Sequence, residues 1–148
     1  MSHEDSRTGD EVGVRAVIEA MAAAVRAKDV EAMLSLCTPD VATFDLVPPL
    51  AHEGAEAVRR IWSRALAGFV PPLEYDVHRL EVFVDGDVAF TRSLTRFGGA
   101  KEDGERSASW LRSTLGLRRI DGHWKVAHEH VSVPFDMESG KALLDLTL

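Results

Sequence analysis

The residues best suited to acid, base or anion chemistry lie on two segments joined by Asp121-Gly122. An Asp-Gly pair between runs rich in β-branched and aromatic residues predicts a tight hairpin that pairs Ile120 with His123. Counted outward from that turn without a bulge, Thr114 faces Glu129, and one face of the hairpin carries Trp110, Arg112, Thr114, Gly116, Ala127, Glu129, Val131 and Val133. An arginine, a threonine, a tryptophan and a glutamate on one face suit a ligand with a carbonyl, enol or carboxylate group.

Each of these residues also has a structural interpretation. Arg112 and Glu129 could form an ion pair that only stabilises the sheet, since such pairs occur without any function. Trp110 and Trp62 could be core residues, because aromatic side chains account for much of core burial. Both interpretations stay open at the level of the sequence.

His128 and His130 share the other face of the same strand, where the counted register places Leu111, Ser113 and Leu115. Two histidines supply only two of the ~4 ligands of a structural zinc, so the sequence predicts neither a metal nor a cofactor. We expect this face to be buried in a homodimer instead. A bulge would reverse the phase and bring the histidines into the pocket, with His128 as a general acid.

The first half of the chain is predicted to supply three amphipathic helices. Apolar residues recur at helical spacing from Val14 to Val25, and Asp29 is a suitable N-cap for a short second helix that buries Cys37 and stops before Pro39. A third helix follows Gly54 and carries Trp62 on its apolar stripe.

Strands are predicted for the second half, with hairpins at Asp85-Gly86 and Asp121-Gly122 and a short extra strand from Val41 to Asp45. Three helices can cover only one face of such a sheet, and Gly116 within a long strand favours strong bending. The sequence therefore predicts an α+β fold: three N-terminal helices packed on a strongly bent, mostly antiparallel sheet, forming a cone with an internal pocket.

Composition narrows the classes of function. The chain has 148 residues and is expected to form a single domain over 1–148, with a flexible tail at 1–10. A net charge of -7 opposes binding to nucleic acid or to an anionic membrane, and the polar start and the lack of a long apolar run predict a cytoplasmic protein without a membrane partner. A single cysteine, Cys37, excludes an internal disulfide.

Four features of the chain match one known superfamily: the stretch VIEAMAAAVRAKDVEAMLSLCTPDVATFD, Gly54, Trp62 and the later stretch DGHWKVAHEHVSVPFD. By these features the chain resembles the nuclear transport factor two-like superfamily, and within it the group of ketosteroid isomerases and SnoaL-like polyketide cyclases. The resemblance implies a general base at Asp45 and a pocket lined by Met21 and Trp62. The two hydrogen-bond donors of ketosteroid isomerases fall on Met21 and, approximately, on Gly116. The absence of both donors argues against classical steroid isomerisation.

Two functions therefore remain open. The first is a cofactor-independent proton-transfer enzyme of isomerase, cyclase or dehydratase type, in which Asp45 acts on a small apolar carbonyl compound while Arg112 and Glu129 assist. Met21, Trp62, Trp110 and Thr114 would then contact the ligand. The alternative is a non-catalytic module that holds a small hydrophobic molecule in the same pocket, with Asp45 as a polar anchor or as a cap of the following loop.

Overall fold

The first helix extends further toward the N-terminus than the sequence predicts. The computed structural model describes residues 2–148, and helix α1 spans His3–Arg26. Ser2 and Asp5 form a capping box, in which each side chain accepts a hydrogen bond from the other residue's backbone N–H. Residues 3–10 are therefore helical where a flexible tail was predicted, and Met1 lies outside the described residues.

The second helix, α2 (Val30–Ser35), begins as predicted, because the Asp29 side chain accepts a hydrogen bond from the Ala32 amide at 3.0 Å. It ends earlier than predicted, and strand β1 (Cys37–Phe44) follows at once, so that Cys37 and Pro39 belong to the strand. Burial raises the pKa of the Cys37 thiol to about 12, and the thiol stays protonated at neutral pH.

Strand β2 (His52–Glu53) pairs with β1 and leads into helix α3 (Ala55–Leu66). This helix has the apolar stripe expected from the sequence, with Ala57, Val58, Ile61 and Leu66 buried. None of the helices among residues 2–148 combines the length and the apolar character needed to cross a membrane.

The remaining strands are β3 (Glu74–Asp85), β4 (Val88–Ala100), β5 (Arg106–Ile120) and β6 (His123–Ser132). Both predicted hairpins are present, since Asp85 pairs with Val88 and Ile120 pairs with His123. The strand order is β2-β1-β6-β5-β4-β3, and all neighbours are antiparallel except β1 and β6, which are parallel. The parallel pair puts the end of β1 beside the second half of β6.

A β-bulge in β6 changes the register that was counted from the turn. Gly116 pairs with His128 and Leu117 pairs with Val126, so that Ala127 is the extra residue. Beyond the bulge Glu129 lies opposite Leu115, not opposite Thr114 as predicted. Relative to Glu129, every side chain in the first part of β5 therefore points to the opposite face from the one expected.

The three helices pack on one face of the curled sheet, which confirms the predicted α+β cone. One core cluster joins α1 to β4, β5 and β6 around Val14, Ile18 and Leu117, and a second joins the three helices around Val25, Met33 and Leu66. The opposite sheet face has no helix over it and carries exposed aromatic side chains. The site described below lies on the helix-covered face.

Candidate functional site

An internal cavity of about 80 Å³ lies between α3 and the helix-covered face of the sheet. Apolar and aromatic side chains make up most of its wall. The polar groups of the wall are the two carboxylates of Asp45 and Glu129, the hydroxyls of Tyr75, Thr95 and Ser113, and the indole N–H of Trp62. Its lining residues are Asp45, Leu46, Ile61, Trp62, Ala65, Tyr75, Thr95, Phe97, Leu111, Ser113, Glu129 and Val131. Three of the predicted site residues, Asp45, Trp62 and Glu129, thus line the same cavity.

Glu129 is the partly buried acid of this cavity. It comes from β6 just after the bulge, with Thr43 of β1 on one side and Leu115 of β5 on the other. Burial, and to a smaller extent the charge of Asp45, raise the pKa of the Glu129 carboxyl to about 7. No hydrogen bond from the described part of the chain stabilises its carboxylate. Such a group can gain or lose a proton at neutral pH.

Asp45 follows β1 directly and is half-buried at the wall of the cavity. Its Oδ1 accepts a hydrogen bond from the Val47 amide at 3.2 Å. The carboxylate therefore caps the following loop, as one interpretation of the sequence required, and also lines the cavity. The cap of the loop and the place in the cavity wall, both of which the sequence suggested for Asp45, thus occur together.

Tyr75 is a hydrogen-bond donor that the sequence-based site did not include. It comes from β3, and burial together with the charge of Glu129 raises the pKa of its phenol, which stays protonated at neutral pH. Its ring lies edge-on to Trp62 and Phe97, with centroid distances of 6.5 and 6.2 Å. These rings form an aromatic wall. Side chains alternate along β3, so the alternation that points Val77 toward the core also points Tyr75 inward. This alternation is the sequence signal that could have placed Tyr75 in the site.

Arg112, Thr114 and Trp110 do not reach the cavity, which corrects the predicted pocket face. Arg112 is exposed and its Nε donates to Ser132 Oγ at 3.0 Å, while the Trp110 ring packs 5.0 Å from the ring of His78. Thr114 is exposed opposite His130. The shared face predicted for Arg112 and Glu129 is therefore wrong. The bulge at Ala127 is the reason, because it separates the phase of β5 from that of Glu129.

Met21 and Gly116 are also displaced from the predicted pocket. Met21 packs between the two core clusters and does not line the cavity, and Gly116 lies on the opposite sheet face, where a Cβ would be 3.5 Å from that of His128. In place of Arg112 and Thr114, Leu111, Ser113 and Thr95 line the cavity.

His128 and His130 lie on the uncovered sheet face, as preferred from the sequence, but with Arg112 and Thr114 as neighbours. The His128 Nδ1 is 2.8 Å from the Ala42 carbonyl oxygen, and the Phe44 ring lies edge-on to both imidazoles. Across residues 2–148 no three histidine, cysteine, aspartate or glutamate side chains are grouped closely enough to hold a metal ion.

A wider surface cleft of about 580 Å³ lies between the start of α1 and the β3–β4 hairpin. Its charged lining residues are exposed or ion-paired, as Glu11 is with Arg15 at 3.0 Å. The cavity around Glu129, whose carboxyl has a raised pKa, is the better candidate for chemistry.

Three helices on a curled sheet with an internal cavity define a protein of the NTF2-like superfamily. The chain belongs to the SnoaL-like domain family, whose model matches residues 14–136. No protein with a curated description shows a significant match.

Solved structures agree with this assignment. An NTF2-like protein of unknown function from Pseudomonas putida KT2440 is 35% identical, with a TM-score of 0.85 over 95% of this chain and 98% of its own. A candidate dehydratase of the NTF2-like family from Streptomyces avermitilis is 21% identical, with a TM-score of 0.75 over 84% and 96% of the two chains. A ketosteroid isomerase-like protein from Erwinia carotovora atroseptica is 20% identical, with a TM-score of 0.70 over 83% and 95%.

Proposed function

We propose that the chain is a proton-transfer enzyme that acts on a small apolar carbonyl compound without a cofactor, and that Glu129 is the group that carries the proton. The observation behind this proposal is a glutamate with no hydrogen-bond partner in the described chain, partly buried in a largely apolar cavity beside a second carboxylate. Burying a carboxyl group in this way is costly unless the group is used or paired.

In the proposed reaction, the Glu129 carboxylate removes a proton from the carbon next to the carbonyl group. The electrons of the broken C–H bond form a C=C bond, and the carbonyl π electrons move onto oxygen to give an enolate. The Tyr75 hydroxyl donates a hydrogen bond to that oxygen, a role for which its cavity position is suitable. Glu129, now protonated, returns the proton to another carbon in an isomerisation, or to a departing hydroxyl group as water in a dehydration.

The competing assignment makes Asp45 the base, as the family resemblance implies, and leaves Glu129 as its protonated neighbour. Both carboxylates line the same cavity, so one proton could serve the pair. A binding module without catalysis is the second candidate function. It is favoured by the Asp45 hydrogen bond to the loop amide, which a purely structural anchor would also make.

Solvent deuterium exchange tests catalysis directly. Butanone and cyclopentanone can place their carbonyl group in the cavity with only a few atoms beyond it, and loss of their α-proton signals in D₂O is measured by NMR. We expect exchange faster than in buffer, with a rate that rises with pH around an apparent pKa of about 7, because the base acts in its ionised form. Exchange at the buffer rate at every pH, with either ketone bound, would favour the binding module.

Replacing Tyr75 by Phe is expected to slow exchange by about 10²-fold, because the enolate oxygen loses one hydrogen bond. The ring and its aromatic contacts remain, so we expect little change in thermal stability. Ser113→Ala, at another polar position of the wall, is the matched control. Equal rates for wild type and Tyr75→Phe would remove Tyr75 from the mechanism.

We also propose that the uncovered sheet face forms a homodimer. Phe83 and Phe90 stack there at 4.5 Å, and with Phe44 they are 42 to 49% exposed. Leu111 and Leu115, predicted for this face, instead point to the cavity and the core. Light scattering should show a dimer at micromolar concentration, and Phe90→Asp should shift it to monomer, because the charge would be buried at the interface. A wild-type monomer would contradict this proposal.

A further inference from the structure

A second concavity adjoins the internal cavity along α3. It has a volume of about 1010 Å³ and shares Asp45, Ile61 and Ala65 with the cavity. The loop at Pro48 and Pro49 contributes one part of its lining, and Arg60 and Arg64 of α3 contribute another. We call this concavity the arginine groove. The shared residues place it directly beside the cavity.

Arg60 and Arg64 are four residues apart and therefore lie on the same side of α3. Within residues 2–148 neither guanidinium has a carboxylate partner, whereas the neighbouring Arg59 is held by Glu31 and Glu56. Asp45, at the shared end, and Glu53 are the acidic groups of the groove. Two free arginines in one groove are notable in a chain with a net charge of -7.

The internal cavity is too small for a whole metabolite of ordinary size. Its volume of about 80 Å³ compares with roughly 30 Å³ for each molecule in liquid water, so it holds a compact group of a few heavy atoms. The rest of a larger ligand can extend past Asp45, Ile61 and Ala65, which line both the cavity and the groove. The arginine groove is the space on that side.

We propose that the substrate has a compact carbonyl head, which enters the internal cavity, and an anionic tail, a carboxylate or a phosphate, which lies in the arginine groove against Arg60 and Arg64. This proposal rests on the proposed function for the identity of the head. The charges fix the direction of binding, since Asp45 and Glu129 repel an anionic end and the two arginines attract it.

The test uses methyl ketones with a terminal carboxylate, from 4-oxopentanoate to 8-oxononanoate, and the primary amide of each. The amides keep the length and the ketone and lack the charge. Titration calorimetry is expected to show that the carboxylate of at least one length binds about three- to tenfold more tightly than its amide. The preference should weaken as salt is added, because both arginines are exposed. The corresponding 6-oxoheptyl phosphate distinguishes the two anions.

The variant R60Q/R64Q should bind carboxylate and amide equally, with the affinity for the amide unchanged. Arg118→Gln, which removes an exposed charge on β5 outside the groove, should keep the preference. Three results would overturn the proposal. The wild type could bind carboxylate and amide with equal affinity, the preference for the carboxylate could survive in R60Q/R64Q, or no member of the series could bind. Deuterium exchange of the neutral ketones is independent of the arginines, so failure of the proposed function would be seen separately.

Discussion

Glu129→Gln is expected to lower the rate of enzyme-dependent α-proton exchange by roughly 10² to 10⁴-fold, the usual contribution of a positioned general base. Glutamine has nearly the same shape and cannot accept the proton. The ligand should still bind, because the aromatic wall and the rest of the cavity are unchanged. The exchange rate and the dissociation constant for the ketone are measured on the same preparation, so that loss of turnover is separated from loss of binding.

Asp45→Asn is the matched variant for this experiment. If Glu129 is the base, removing the negative charge beside it lowers the Glu129 pKa toward its ordinary value, and the rise of the rate with pH moves to lower pH. Exchange then persists. If Asp45 is the base, Asp45→Asn abolishes exchange and the glutamine variant retains much of it. That second pattern would reverse the assignment of roles within the pair.

The Glu129 carboxyl group should also make folding stability depend on pH. Glu129 has an ordinary pKa of 4.5 when the chain is unfolded and about 7 when it is folded, which corresponds to roughly 3 kcal/mol. Below the unfolded value both states are protonated, and the stability contributed by the raised pKa is fully present. As the pH rises toward the folded value the unfolded state loses its proton first, and this contribution is lost.

Glu129→Gln removes that dependence. We expect the free energy of unfolding of the variant, relative to wild type, to increase by roughly 3 kcal/mol between about pH 4 and about pH 8. Urea denaturation at several pH values measures this, and the change with pH cancels any constant cost of burying the amide. Glu105→Gln, at an exposed position, is the control for general charge effects. Parallel curves for wild type and Glu129→Gln would show that the carboxyl is solvated in solution.

Features set by local sequence signals were predicted well. The N-cap at Asp29, the apolar stripe of α3 and the turns after Asp85 and Ile120 depend on residues close together in the chain, and the structure has each of them. The bulge has no such signal. Ala127 is not a glycine, and the extra residue is detectable only from the pairing of two strands, although it decides which side of β5 faces the cavity.

The meeting of Asp45 with Glu129 has a similar origin. The two residues come from distant parts of the chain and share a cavity because β1 and β6 pair in parallel, with Thr43 opposite Glu129. No periodicity in either segment indicates that pairing, and the resemblance alone suggested Asp45. Tyr75 was absent from the sequence-based site, because its value as a donor depends on the neighbours it meets in the folded chain.

The position of β6 also bears on biosynthesis. Although β6 follows the other five strands in the chain, it lies inside the sheet, between β1 and β5. A nascent chain that has not yet released β6 from the ribosome has two separate sheet fragments, β2-β1 and β5-β4-β3, each with an open edge that can pair with other chains. Its Asp45 has no Glu129 beside it. A chain that terminates before β6 should therefore be bound by chaperones or degraded by proteases, and should have no residual activity.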